Sequence, residues 1–515
     1  MTKSNAAMSV LLAAGMTTIP ACTVGPEYAR PEVSSPESFG SSEGVRTVTR
    51  PGSPAELSRW WDRFNDPVLS SLIDDAVREN LDLKASLARV AEARALRGVA
   101  SSEQWPTLDA LASFARSRRS ETTPQGRFGG SDVDDSYTAG IDASWELDLW
   151  GRVRRGVEAA DAEVAAAEEA ALDAKVILAA EVASAYAGLR ASQQRLVVAR
   201  DAVSIREESL RLARARAEAG LTAELDVAQA RAELATRRAN IPVFEAQEAQ
   251  ASHRLAVLLA AHPRSLRERL GGAGPIPTPP EAIETGLPSE LLLRRPDLRR
   301  AERQLAASSA RIGVVTADLY PRVTLGASVG VEAANPGDLY DADSRYFSFG
   351  PSVRWNVFDA GRTRANIDAA DARMEQALLA YRSAVLSAFA ETEDAIADLV
   401  HQQRRADELA QAAEADRRAV ELADALYRPG LRDLSYVLDN QRRLYESQDQ
   451  LVLAKLQYTT AAIALYKSLG GGWEPPTTPP TPTPTTSTTA DTAAPGVASG
   501  SSAGVARAMG PAGER

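Results

Sequence analysis

Two periods of hydrophobicity alternate along this chain. From Tyr137 onward, Tyr137, Ala139, Ile141, Ala143, Trp145 and Leu147 share one side, while Thr138, Gly140, Asp142, Ser144, Glu146 and Asp148 share the other. The same alternation returns in Val323, Leu325, Ala327, Val329 and Val331, and again in Phe347, Phe349, Pro351, Val353, Trp355 and Val357. A weaker version spans 107–115. Period two predicts four strands, at 105–115, 137–147, 321–331 and 347–357. Strands of about ten residues, apolar on one side and polar on the other, fit a lipid-facing barrel with a polar lumen. The aromatic residues at their ends (Trp105, Tyr137, Trp145, Tyr320, Tyr346, Phe347, Trp355) favour that reading over an ordinary half-buried sheet.

The second period is helical. Arg362 to Arg428 contains neither Gly nor Pro, so it can run as one helix close to 100 Å long at about 1.5 Å per residue. Its stripe includes Ile367, Met374, Leu378, Tyr381, Val385, Phe389, Ile396 and Leu399. Between Arg152 and Ala219, Leu189, Leu196, Val203 and Leu210 recur every seven residues, the spacing of helices packed as coiled coils. Each long helix is expected to turn at a glycine, Gly220 or Gly430, into a shorter returning helix. These are 221–262, interrupted at Pro242, and 431–469. Asp66-Pro67 starts an earlier helix that runs towards Gly98, Asp66 capping it and Pro67 suiting its first turn.

The pattern is also duplicated. Trp145-Glu-Leu-Asp-Leu-Trp-Gly-Arg152 is echoed by Trp355-Asn-Val-Phe-Asp-Ala-Gly-Arg362, Trp105-Pro106 by Tyr320-Pro321, and Gly220-Leu221 by Gly430-Leu431. Two copies of one unit follow: 66–270 with its hairpin at Gly220, and 296–473 with its hairpin at Gly430. A Gly/Pro-rich linker, 271–295, joins them. The Thr/Pro/Ala-rich tail, 474–515, reads as disordered.

Composition narrows the classes. The formal net charge is -11 and no Lys/Arg block occurs, which argues against nucleic acid as a partner. The three histidines, His253, His262 and His401, are scattered, so no histidine metal site is expected, and no nucleophile elbow or Cys/His pairing suggests an enzyme. The one cysteine, Cys22, follows Lys3 and an apolar stretch. That layout reads as a signal peptide, 1–21, with Ile19-Pro-Ala-Cys22 as a lipobox, followed by a lipidated extended arm, 22–65. Beyond residue 22 no run of 18 apolar residues exists, so any membrane crossing falls to the strands. Four strands cannot close a barrel, and open edges are not tolerated in lipid, so the missing strands must come from other chains.

Together these motifs resemble the outer-membrane factor family, the TolC-like and NodT-like efflux lipoproteins. The resemblance rests on Cys22-Thr-Val-Gly-Pro-Glu-Tyr-Ala-Arg-Pro31, Trp60-Trp61, Phe64, Asp66-Pro67, Leu69, Trp145 to Arg152, Arg295-Pro-Asp297, and Gly430 with Val437-Leu438-Asp439. It implies a mostly α fold with membrane β: a homotrimer whose twelve strands form one outer-membrane barrel, continued by an α-helical coiled-coil barrel in the periplasm. The implied function is a passive duct in a tripartite efflux system, with a periplasmic membrane-fusion adaptor, an RND-type inner-membrane pump and outer-membrane lipid as partners. No cofactor is implied. Around the turns it assigns Asp226, Tyr427, Arg432 and Asp439 to a periplasmic gate, and Gly220, Leu221, Gly430 and Leu431 to adaptor docking. Type I protein secretion and a non-porous coiled-coil lipoprotein are the alternatives.

Overall fold

The computed structural model describes residues 23–36, 38–40, 57–118, 120 and 133–474. The signal peptide, Cys22, residues 121–132 between the first two expected strands and the tail from 475 lie outside the described residues. In chain order the elements are α1 (Pro67–Glu79), α2 (Leu81–Ser102), β1 (Thr107–Arg118), β2 (Val133–Leu147), α3 (Arg152–Glu218), α4 (Glu224–Leu258), α5 (Pro263–Leu270), α6 (Pro288–Arg294), α7 (Pro296–Thr316), β3 (Arg322–Ala333), β4 (Arg345–Arg354), α8 (Arg362–Tyr427) and α9 (Leu434–Ser468).

The four strands form one antiparallel sheet in the order β1-β2-β3-β4. Their register aligns the alternation across the sheet: Ile141 stands opposite Ala110 and Val329, and Val329 opposite Phe347. Asp142 stands opposite Asp109 and Ser328, and Ser328 opposite Ser348. One face is therefore mostly apolar and the other mostly polar, with Arg345 at the end of the apolar face and Leu111 and Tyr346 on the polar one. β1 and β2 run farther than the alternation predicts, because Arg116 pairs with Asp135 across the ladder at 3.3 Å where apolar residues have ended. β4 stops at Arg354, leaving Trp355, Asn356 and Val357 outside the strand.

The helices correct the sequence reading in two places. Instead of one helix from Asp66 to Gly98 there are two, broken at Asn80, whose ψ of 132° leaves the helical region. The Asn80 side chain accepts from Leu83 N and donates to the Leu258 carbonyl, both at 2.9 Å, so one residue caps α2 and ties it to the end of α4. Conversely, α4 continues through Pro242 rather than being interrupted there. Proline removes only one hydrogen bond, and a helix laid along α3 tolerates it.

The main core lies where the two repeats meet. Trp60 stacks on Tyr466 at 5.1 Å, with Phe64, Leu72, Ile73, Leu189, Leu255 and Ile396 buried around them. The linker takes part in this packing rather than merely spanning it. Ile283 is buried there, Ile276 is buried against Ala191 and Val452, and the Thr459 hydroxyl donates to the Pro277 carbonyl at 2.8 Å.

The arm begins at the other end of the long helices. Val24 N donates to the Trp150 carbonyl at 3.1 Å, and Trp150 stacks on Tyr320 at 4.7 Å. Thr23 packs so closely on Gly151 that a Cβ there would meet its methyl at 2.8 Å. Thr23 and Val24 thus lie at the aromatic level at the base of the sheet.

Hairpin tips as the candidate functional site

Both long helices end in the same hydrogen-bonded turn. Leu221 N donates to Arg216 O at 2.8 Å and Gly220 N to Ala217 O at 2.9 Å; Leu431 N donates to Leu426 O at 3.0 Å and Gly430 N to Tyr427 O at 2.9 Å. Such a turn needs a left-handed residue, and Gly220 (φ 69°) and Gly430 (φ 85°) supply it without steric cost. The turn leaves Leu221 and Leu431 about two-thirds exposed, at 67% and 69%. Beneath the turns Leu210, Ala213, Val227, Leu234, Tyr427 and Val437 pack α3, α4, α8 and α9 into one small core. The tips are therefore firm bodies carrying exposed leucines.

The four residues assigned to the gate sit differently. The Asp226 carboxylate, in the first turn of α4, accepts from the Thr222 hydroxyl, and its charge favours that helix N-terminus. Tyr427 is buried at 3% exposure, and its hydroxyl has no hydrogen-bond partner among the described residues. Burial pushes the Tyr427 phenol above its ordinary value and the Asp226 charge adds to this, while Arg216 opposes it. Arg432 stacks over the Tyr436 ring at 5.2 Å and forms no ion pair among the described residues. Asp439 is paired on its own helix with Arg442 at 2.6 Å and Arg443 at 3.2 Å, and the Arg442 hydrogen bond holds its carboxyl below the usual range. Among the described residues, no hydrogen bond or ion pair joins any two of these four within the chain. What meets in one chain is Tyr427 and the field of Asp226.

Two arginines at the tips escaped the sequence reading. Arg216 lies over the Tyr427 ring at 4.9 Å and donates to Tyr427 O at 3.3 Å and Arg428 O at 3.0 Å, so it caps the end of α8 from α3. Arg206 is 2% exposed along its side chain, 4.0 Å from Glu233. It donates to Leu438 O at 3.0 Å and Gln441 Oε1 at 2.9 Å. Burial pushes its guanidinium down to about 10. In the sequence both look like any solvated helix arginine, because their hydrogen-bond partners lie more than 200 residues away.

A sheet with one apolar face, set on two very long helical hairpins whose turns carry exposed leucines, defines one protomer of an outer-membrane channel with a helical extension. The chain belongs to the outer membrane efflux protein family, whose profile matches residues 72–261 and 287–471. It is 34% identical over 423 residues to the pyoverdine export outer membrane protein OpmQ of Pseudomonas aeruginosa, covering 82% of this chain and 88% of that protein. Outer membrane protein OprJ of the same species is 33% identical over 464 residues, covering 89% and 94%. Among solved structures, the outer-membrane channel OprN superposes with a TM-score of 0.80 at 36% identity, covering 88% of this chain and all of that one. The open state of the Neisseria gonorrhoeae MtrE channel superposes with a TM-score of 0.75 at 29% identity, covering 88% and 99%. The family is one of passive channels, not of enzymes. The chain is accordingly an outer-membrane efflux channel subunit.

Proposed function

We propose that three copies close into one barrel and tunnel that passively carries small organic molecules from a periplasmic adaptor and an RND-type inner-membrane pump to the outside. One observation carries this reading: the sheet is apolar on one face yet open at both edges, β1 and β4, and lipid tolerates no open edge. Three times four strands satisfy both edges and leave a polar lumen. The small-molecule cargo is supported by relatives named for pyoverdine export and for solvent efflux. Leu221 and Leu431 offer the adaptor its apolar contact, and Cys22, acylated, anchors the chain in lipid.

At the mouth, Asp226, Tyr427 and Arg432 hold neighbouring hairpins together through bonds made between chains, with Asp439 facing the lumen. Arg432 and the Tyr427 hydroxyl are suited to this because neither has an ionic or hydrogen-bond partner within its own chain, among the described residues. A few charge-assisted bonds of about 1.5–3 kcal/mol each bias a closed aperture yet yield to a docking partner. Conductance of the purified trimer in planar bilayers tests the whole reading. Measurable ion flux is expected, with Asp226→Ala or Arg432→Ala raising it severalfold. A folded trimer that conducts nothing under any condition sinks the duct, and variants conducting like the parent sink the gate.

A further inference from the structure

The mostly apolar face of the sheet is charged at one end only. Along it β1 runs Leu108, Ala110, Ala112, Phe114, Arg116 and Arg118, and β4 runs back from Val353 through Pro351, Phe349 and Phe347 to Arg345. Both edge strands therefore carry a phenylalanine and, two residues farther from the long helices, an arginine. Phe114 and Phe347 are 56% and 84% exposed, and Phe114 lies against Tyr137 at 4.7 Å. At the opposite end, where the long helices begin, this face carries Trp145, Leu147, Val323 and Val353, none of them charged.

The arginines of the two edges stand at one height. At the foot of the sheet β1 begins with Thr107, in the row of Gly350, and β4 continues four residues farther, to Arg354. At the head β4 stops at Arg345, in the row of Ala112, and β1 continues six residues farther, to Arg118. Both ends are thus staggered in the same sense. A stagger of about 13–20 Å over three strand spacings of about 4.8 Å is the slant of strands tilted by roughly 45°, as barrel strands are. In that frame Arg116, four residues past the row of Arg345, comes level with it. The ten residues of β4, so tilted, rise roughly 23 Å, close to the height of the apolar band of such barrels. The arginines therefore stand at the outer edge of that band, in the headgroup layer on the side away from the helices.

A guanidinium on a lipid-facing side is tolerated near the interface, where its long stem carries the charge into the polar layer. Three arginines meet a single carboxylate on this face of the strands: Asp135, 3.3 Å from Arg116. Arg345 has no ion-pair or side-chain hydrogen-bond partner among the described residues. β1 and β4 are also the two open edges, so closing the trimer sets Arg345 of one copy beside Arg116 and Arg118 of the next. Like charges gathered at a joint need an anion between them. The outer leaflet of an outer membrane supplies one, since its glycolipids bear phosphates on their sugars, and a guanidinium fork binds phosphate through two parallel hydrogen bonds.

We propose that each joint between copies carries a rim site for a phosphorylated outer-leaflet glycolipid. Arg345 of one copy and Arg116 and Arg118 of the next grip the phosphate, while Phe347 and Phe114 just below them meet the acyl chains. The bound lipid neutralises the joint and so fastens two copies to each other, which ties closure of the barrel to the membrane that receives it. The other leaflet meets no charge on this face, in keeping with a site built for one side of the bilayer.

This inference rests on the trimeric reading, and its test separates the two. The full chain is placed in phosphatidylcholine nanodiscs containing bis-phosphorylated lipid A, and retained lipid is counted by native mass spectrometry, which also reads the number of copies. One lipid A per joint is expected. Arg116→Gln combined with Arg345→Gln should lower retention by about fivefold or more. An arm that needs no variant uses lipid A stripped of both phosphates, with the same acyl chains, which the parent should retain about fivefold less well. Should the double variant fail to assemble, this arm decides alone. Inorganic phosphate in large excess should leave the intact lipid bound; displacement by it would make the site one for free phosphate and overturn the lipid assignment. A trimer that keeps the phosphate-free lipid equally well, or a double-variant trimer that keeps lipid A like the parent, overturns the site and leaves the duct standing. A parent found only as monomer overturns the trimeric duct and the site with it.

Discussion

Ala260 stands where the second repeat has Gly470, and the two residues close the same turn. Ala261 N donates to Ala256 O and Gly471 N to Tyr466 O, both at 2.9 Å, and both positions are left-handed, at φ 49° and 71°. For alanine that conformation costs about 1–2 kcal/mol, against about 0.4–1 kcal/mol that glycine loses to unfolded-state entropy. Ala260→Gly is therefore expected to stabilise the fold by about 0.5–1 kcal/mol. Gly470→Ala should destabilise by more than 1 kcal/mol, because its Cβ would also press to 3.2 Å from Arg294 O. Thermal unfolding of the two variants in one detergent measures both, and equal midpoints would discard the strain argument. Glycine is legible in a sequence because a turn demands it, so Gly220 and Gly430 marked the tips correctly. Ala260 breaks that code and passes unnoticed. Arg206 and Arg216 passed unnoticed for another reason: burial is a property of neighbours, and theirs come from the other repeat.

At the scale of elements, periodicity read the long helices and the four strands within a few residues, because each keeps a single period for many turns. It failed where a tertiary contact decides the boundary. Asn80 ends α1 by bonding a carbonyl of α4, and Pro242 is absorbed by packing along α3. The start of α7 is a junction of this kind. Arg295 donates to Asp297 at 3.0 and 2.8 Å, to Glu391 of α8 at 2.8 Å and to the Ser468 carbonyl of α9 at 3.1 Å. It pins three helices with one guanidinium. Burial alone would push Asp297 up, but the Arg295 hydrogen bonds and charge prevail and hold it below its ordinary value. A depressed carboxylate contributes stability above its unfolded value and loses it as pH falls through that value towards the folded one. Arg295→Ala is expected to cost about 3 kcal/mol at neutral pH. The gap to the parent should begin to narrow below about pH 4, where Asp297 of the unfolded chain takes up its proton, and narrow further as pH falls towards the depressed folded value. Denaturant unfolding at pH 7 and pH 3.5 decides it; a gap that stays constant would show that lost packing, not charge, is the cause.

For the whole molecule, the register assembles what no strand shows by itself. On the polar face Asp109 and Asp142 stand directly opposite each other, although like charges so placed destabilise a sheet. Arg322 and Arg354 are likewise opposed at the end of the sheet nearest the long helices. Six residues of β3 separate Arg322 from Ser328, which shares the row of the aspartates, so the two levels lie about 20 Å apart at about 3.3 Å per residue. Arg322 is already paired with Asp318 at 3.0 Å, which blunts the basic level. In the proposed trimer the acidic level would become six carboxylates around one section of the lumen, the arrangement that makes a pore prefer cations. Asp109→Asn with Asp142→Asn should thus lower the cation-to-anion permeability ratio by about twofold or more, read from the reversal potential across a KCl gradient. Because carboxylates lining an aqueous lumen are screened, the difference should be large near 0.1 M salt and fade near 1 M, where the Debye length is about 3 Å. The same double change should also stabilise the sheet, by removing the repulsion between strands. A pore whose selectivity ignores both aspartates at low salt would mean that the narrow helical mouth, and not the barrel, sets the permeant charge.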